Sequence, residues 1–204
     1  YGYEWAELWL IATFPSRHYN IDEYPAVKQY LLSFGIERLE QTGKTHIVNG
    51  EKVKSRKKTH NKWFETQDSI SYWEDFFKPK IIYPNMTKYM PFAYDNQGYL
   101  TNQKCFIMTG VHLPYLTAFF NSNIFKICYR DCFPELQGGT RELSKIFFEN
   151  IRIPQIDKLI EYDIENMLED AQLGNDYADL RIDKALIMFL SLQEYETFIL
   201  NYQI

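Results

Sequence analysis

The stretch from Lys80 to Asn121, KIIYPNMTKYMPFAYDNQGYLTNQKCFIMTGVHLPYLTAFFN, decides the fold. Its first four residues form a compact apolar run led by a lysine and stopped by Pro84, the pattern of a short buried strand. Phe92–Tyr94, the turn DNQG and Tyr99–Thr101 predict a hairpin in which Gly98 supplies the positive φ angle. Lys104–Met108 reads as a further strand. Pro114 then opens a helix carrying Tyr115, Leu116, Phe119 and Phe120, which closes near Asn121–Asn123. Short strands followed by a helix too apolar to be exposed imply a mixed sheet packed on helices.

Toward the N-terminus, Leu8–Phe14 (LWLIATF) suits a buried strand, and Pro15–His18 breaks it. Val27, Tyr30, Leu31 and Phe34 recur at helical spacing behind Pro25, so a helix is expected from 25 to 34, continuing raggedly past Gly35 to Leu39. Trp63–Phe77 reads as a short helix or two helical turns. Toward the C-terminus, Phe125–Tyr129 suits strand or helix, Gln137–Thr140 a turn, and Ile146–Ile156 a strand ending at Pro154. From Asp157 the composition shifts to two acidic amphipathic helices separated by Gly174, one carrying Leu159, Ile160, Ile164 and Leu168, the other Ile182, Leu186, Phe189 and Leu190. The expected fold is α+β, a mixed-sheet core over 1–156 with a helical C-terminal appendage over 157–204.

With 46% hydrophobic and 24% charged residues among 204, the chain can bury a real core, and disorder is excluded. Aromatics reach 17%, and most of these rings fall at core positions. No apolar run approaches the ~18 residues of a membrane span. The N-terminus lacks the pattern of a signal peptide and an initiator Met, so the chain reads as a domain cut from something longer. Three cysteines, Cys105, Cys128 and Cys132, cannot build a disulfide framework and suit a reducing cytoplasm.

The net charge of −5 taken whole argues against a nucleic-acid partner. Its distribution argues otherwise. Residues 44–62 hold 7 basic groups against 1 acidic, while 157–204 hold 3 against 11. A local excess of +6 predicts a local anionic partner, and the −8 tail belongs away from it, packed on the core or on another domain. The basic segment, poor in apolar residues, is expected to be a loop or a mobile hairpin.

Phosphate contacts need cations, and Lys52, Lys54, Arg56, Lys57, Lys58 and Lys62 supply them, with Lys80 and Lys88 as a second flank. Base reading needs arginine for guanine or an amide for adenine, and Arg17, Asn61 and Arg141 fit by type and loop location, as does Arg56. Gly138, Gly139 and Thr140 form a turn where backbone could approach a phosphate. Reaction chemistry is missing: the sequence has no glycine-rich nucleotide loop, no HExxH, no GxSxG, no paired histidines and no nuclease-type carboxylate–lysine motif.

Four motifs in order, FFKPKIIYPNM (76–86), FAYDNQGYLTNQKCFIM (92–108), LPYLTAFFNSNIFKICYR (113–130) and LQGGTRELSKIFFENIRIPQI (136–156), resemble the TaqI-like C-terminal specificity domain. This is the target recognition domain of type IIG restriction-modification enzymes and related adenine methyltransferases. YGYEWAELWLIATF with YPAVKQYLLSF resembles the family's opening strand and helix, and DLRIDKALIMFLSLQEYETFIL its helical tail. The resemblance implies a double-stranded DNA recognition module, itself without catalytic residues or cofactor. It also implies methyltransferase and nuclease domains in the same polypeptide that use S-adenosylmethionine and magnesium. Residues 43–62 vary with the target in such domains and do not align residue by residue, so their role in base reading rests on their chemistry and not on the resemblance. Two other readings compete: a protein-docking domain of the same fold that has lost DNA reading, and an unrecognised magnesium-dependent nuclease.

Overall fold

The computed structural model describes residues 4–175 and 177–203. The chain divides into two units, one spanning Ala6–Trp73 and the other joining Glu4 and Trp5 to the residues from Glu74 onward.

In the first unit, α1 (Pro25–Leu32) begins on its proline, where a missing N–H costs nothing, and α2 (Ile36–Leu39) follows Gly35 at φ +86°. β1 (Thr45–Val48) and β2 (Glu51–Lys54) pair antiparallel across a two-residue turn. Asn49 and Gly50 both hold positive φ, at 51° and 85°, the geometry whose twist matches the flanking strands. The apolar core of this unit is small: Phe14, Ile21 and Phe64 are buried, and Phe14 meets Trp73 edge to face at 4.8 Å.

The second unit centres on β3 (Lys80–Pro84). After β4 (Met86–Thr87), β5 (Ala93–Asp95) and β6 (Cys105–Met108) flank β3 antiparallel on either side, in the order β5-β3-β6. Ile81 faces Tyr94 on one edge and Met108 on the other. β4 pairs separately with β7 (Arg141–Glu142).

Against this sheet lies α3 (Leu113–Asn121), in which Leu113, Tyr115, Ala118, Phe119 and Phe120 are all buried. Asn121 substitutes for a strand partner. Its carboxamide nitrogen donates to the Phe92 carbonyl at 2.7 Å and its oxygen accepts from the Phe92 N–H at 3.1 Å. Ser122 then ends α3 and caps α4 (Asn123–Tyr129), its hydroxyl accepting from the Phe125 N–H at 3.1 Å. Tyr83, Phe92, Phe119, Phe120, Phe125, Phe133 and Phe148 form one linked aromatic cluster, so these rings serve packing.

After α5 (Lys145–Phe148), the acidic C-terminal segment forms α6 (Lys158–Gln172), α7 (Ala178–Phe189) and α8 (Glu196–Leu200). Asp157 caps α6 by accepting from the Leu159 N–H at 2.8 Å. Ile164, Ile182, Leu186, Ile187 and Ile199 from these helices join the same buried cluster as Ile81, Phe92 and Phe119. The Gln172 amide also donates to the Tyr94 carbonyl of β5 at 2.9 Å. Among the described residues no helix is long and apolar enough to cross a membrane.

The class is α+β, but four expected elements differ. Leu8–Phe14 is irregular, with Leu8 and Trp9 exposed and only Phe14 buried, and it joins no sheet among the described residues. Between Trp63 and Phe77 the helix shrinks to a single 3-10 segment, Trp73–Phe77. Tyr99–Thr101 is not a strand: β5 pairs with β3 instead, although Gly98 does hold φ +79°. Ile146–Ile156 gives the short helix α5 and then irregular chain, whose Phe148, Ile151 and Ile156 still pack on the core.

Candidate nucleic-acid interface

Strand alternation sorts the β1–β2 hairpin into two faces. His46, Val48 and Val53 are half-buried, whereas Thr45, Ile47, Lys52 and Lys54 are exposed. The register sets Ile47 opposite Lys52 and Thr45 opposite Lys54, so each outward residue of β1 shares its position with a lysine of β2. The turn residue Asn49 is also exposed.

The chain after β2 is held by side chains bonding to backbone, because the unit has few apolar contacts to spare. Arg56 donates through Nε to the Leu39 carbonyl at 2.8 Å, and through its two terminal nitrogens to the Glu65 carbonyl at 2.9 Å and the Trp63 carbonyl at 2.5 Å. Burial lowers its pKa from the usual arginine value. The buried Gln41 amide donates to the carbonyls of Lys62 and Glu65 at 3.0 and 2.8 Å. Asn61 spends its amide N–H groups on the carbonyls of Thr66 and Gln67, at 2.9 and 3.1 Å. Glu65 closes the same turn by accepting from the Lys62 N–H at 2.7 Å.

Around this frame Lys52, Lys54, Lys57, Lys58 and Lys62 are exposed. Lys57 lies 3.6 Å from the exposed Asp68, and the Lys62 ammonium sits 5.6 Å from the centre of the Phe64 ring. Arg17, also in this unit, is exposed at the end of the 3-10 turn Pro15–Arg17, next to His18 in a left-handed conformation. These side chains stand at the surface, where a polyanion can approach them.

Four of the residues expected to touch DNA have other work. Lys80 is wholly buried: it pairs with Asp95 and donates to the Phe76 carbonyl at 2.6 Å, so the expectation of a phosphate contact is corrected. Arg141 is buried too, with one terminal nitrogen 3.1 Å from the Phe133 carbonyl and the other 2.9 Å from both Asp131 and Glu135. Its fork is occupied, which corrects its placing as a guanine reader. Arg56 and Asn61 are half-buried and turn their N–H groups onto backbone carbonyls, so they build the frame. Lys88 of the second unit is exposed beside Tyr89, 5.7 Å from its ring centre. Gly138, exposed, and Gly139, half-buried, form a turn at φ +77° and +76°.

The reading from sequence passed over Ile47 and Asn49. The signal for Asn49 was present, since Asn-Gly between two alternating runs is a strong hairpin mark that fixes which residues face outward. Among the described residues no group of three or more His, Cys, Asp or Glu side chains converges, so no donor set for magnesium presents itself.

Comparison with known families finds that the model described as the TaqI-like C-terminal specificity domain matches residues 26–153. That span takes in the hairpin, the frame around Arg56, the sheet β5-β3-β6 and helices α3 and α4. No curated protein matches the chain.

Proposed function

The chain belongs to the TaqI-like C-terminal specificity domain family, and from that premise we propose that it reads the target sequence for a type IIG restriction-modification enzyme. It is a DNA-recognition module, and a specificity domain is not itself catalytic. In the proposed enzyme, methyltransferase and nuclease domains of the same cytoplasmic polypeptide carry S-adenosylmethionine and magnesium. They methylate an adenine within the site that this domain selects.

The single observation that carries the finer reading is the outward face of β1–β2. Lys52 and Lys54 project from a hairpin whose base is fixed by the Arg56 and Gln41 bonds, and Lys57, Lys58 and Lys62 follow at that base. Lysines on a hydrogen-bonded support have their backbone ordered before they meet phosphates, and each phosphate neutralised releases condensed counterions. Arg17 and Lys88 are further exposed cations for the backbone. Phosphate contacts of this kind set register, and outward hairpin residues would then meet base edges.

Duplex binding measured against salt tests this. Engagement of Lys52, Lys54, Lys57, Lys58 and Lys62 predicts a loss of about two to three orders of magnitude in affinity between 50 and 200 mM salt. Affinity indifferent to salt would overturn the reading in favour of protein docking. Methylation profiling of the host genome with and without the full-length protein tests the enzyme class, and the expected result is one new adenine-methylated motif.

A further inference from the structure

One exposed side chain on the basic hairpin is apolar. Ile47 is 75% exposed in the middle of β1, directly opposite Lys52, on a face otherwise made by Thr45 and Lys54. A single exposed isoleucine is ordinary on a protein surface. Here its position is not, because every neighbour on that face is polar and two of the three are cations suited to DNA phosphates. Packing within the hairpin does not require it, since the inward residues His46, Val48 and Val53 form the covered face.

The chemistry of the duplex narrows what an isoleucine could read. In the major groove the base-pair edges present hydrogen-bonding atoms together with one projecting apolar group, the C5-methyl of a pyrimidine. Two strands about 5 Å apart form a ribbon narrow enough for that groove, roughly 12 Å wide. Tip-first insertion would carry Asn49 deepest, with Ile47 two residues behind it and the lysines toward the phosphate walls. Asn49 adds an amide of the kind that pairs with adenine.

We propose that Ile47 is a specificity-determining side chain that packs on the 5-methyl group of a pyrimidine in the major groove. The methyl group is that of thymine or of 5-methylcytosine. This rests on the DNA-recognition reading above. Burying one methyl group corresponds to about a fourfold gain in affinity.

The test begins with selection of duplexes from a random library by the full-length protein. The enriched duplex is then resynthesised with deoxyuridine for thymidine, and separately with 5-methylcytosine for cytosine. Wild type is expected to bind the deoxyuridine duplex about fourfold more weakly, Ile47→Ala to bind both equally, and Ile47→Val to keep most of the preference. If cytosine methylation instead strengthens binding in an Ile47-dependent way, the same contact is assigned to 5-methylcytosine. Equal binding of all three duplexes by wild type, or a preference unchanged in Ile47→Ala, overturns the proposal while DNA recognition stands. Failure to enrich any duplex, with no dependence on salt, removes the DNA reading itself.

Discussion

Lys80 and Asp95 are cross-strand partners on β3 and β5, and their charged ends meet in a pair that solvent does not reach. Asp95 also accepts from the N–H groups of Gln97 and Tyr99, at 2.7 and 3.0 Å. One carboxylate thus ties the lysine of the KIIYP strand to the turn that follows β5. The two polar residues that stand out in these motifs hold the sheet together from inside.

Removing one partner strands the other charge away from water. Lys80→Met should destabilise the second unit by about 3–5 kcal/mol in urea unfolding. The double variant Lys80→Met with Asp95→Asn should recover part of that loss, because the buried charge is gone, although the single carboxamide oxygen of asparagine can keep only one of the bonds from Gln97 and Tyr99. A double variant no better than the single would refute the pairing as the cause.

Arg56 and the neighbouring lysines should separate in two measurements. Arg56→Lys gives up at least two of three bonds to carbonyls and should lower the stability of the Ala6–Trp73 unit by about 2–3 kcal/mol, read by hydrogen exchange at Trp63–Glu65. Lys58→Gln, on an exposed side chain, should leave stability within about 0.5 kcal/mol.

Replacing Lys52, Lys54, Lys58 and Lys62 together by glutamine should weaken binding to all duplexes alike. The slope of log affinity against log salt should fall by about 0.9 for each phosphate no longer neutralised. Arg56 is left intact in this variant because its replacement would mix unfolding with weaker DNA binding. A slope equal to that of wild type would take the hairpin out of the interface.

Asp183 gives the second unit an unusual dependence on pH. Its carboxyl group rises from the ordinary 3.8 to about 6, mainly through desolvation by burial, with Asp179 adding to the shift. The bond it accepts from the Asn123 N–H and the charge of Lys126 oppose the rise. The folded chain therefore holds this proton more tightly than the unfolded chain. Above about pH 6 the charged form costs stability, and acidification from about 6 toward 3.8 restores it, by at most about 1.4 kcal/mol per pH unit. Thermal unfolding of Asp183→Asn should show that gain reduced and a higher midpoint than wild type at pH 7.5. Glu165, also raised by burial, gives the same sign, so the difference between variant and wild type isolates Asp183.

Where a sequence signal and its physical cause coincided, the fold was legible. The apolar run at Lys80–Tyr83, Pro114 in the first turn of a mostly apolar helix and the 3.6-residue period after Asp157 each became the expected element. Leu8–Phe14 and Ile146–Ile156 misled because an apolar run says that a segment seeks cover, not that a partner strand lies beside it. The candidate binding face was half legible for a similar reason. Exposed lysines followed from composition, but residue type cannot tell whether the N–H groups of Arg56, Asn61 or Arg141 meet a base or a nearby carbonyl. Three carbonyls took Arg56 and two took Asn61, because a unit with three buried apolar residues is held by polar bonds.

The alternation along β1 and β2 has an evolutionary consequence. Inward residues and the Asn49–Gly50 turn maintain the hairpin, while positions 45, 47, 52 and 54 bear on nothing inside the chain's covered face. Those four sites can change identity without disturbing the scaffold beneath them. On the reading proposed above, a lineage could therefore acquire a new target preference by drift on the outward face alone, its folding insulated from the search.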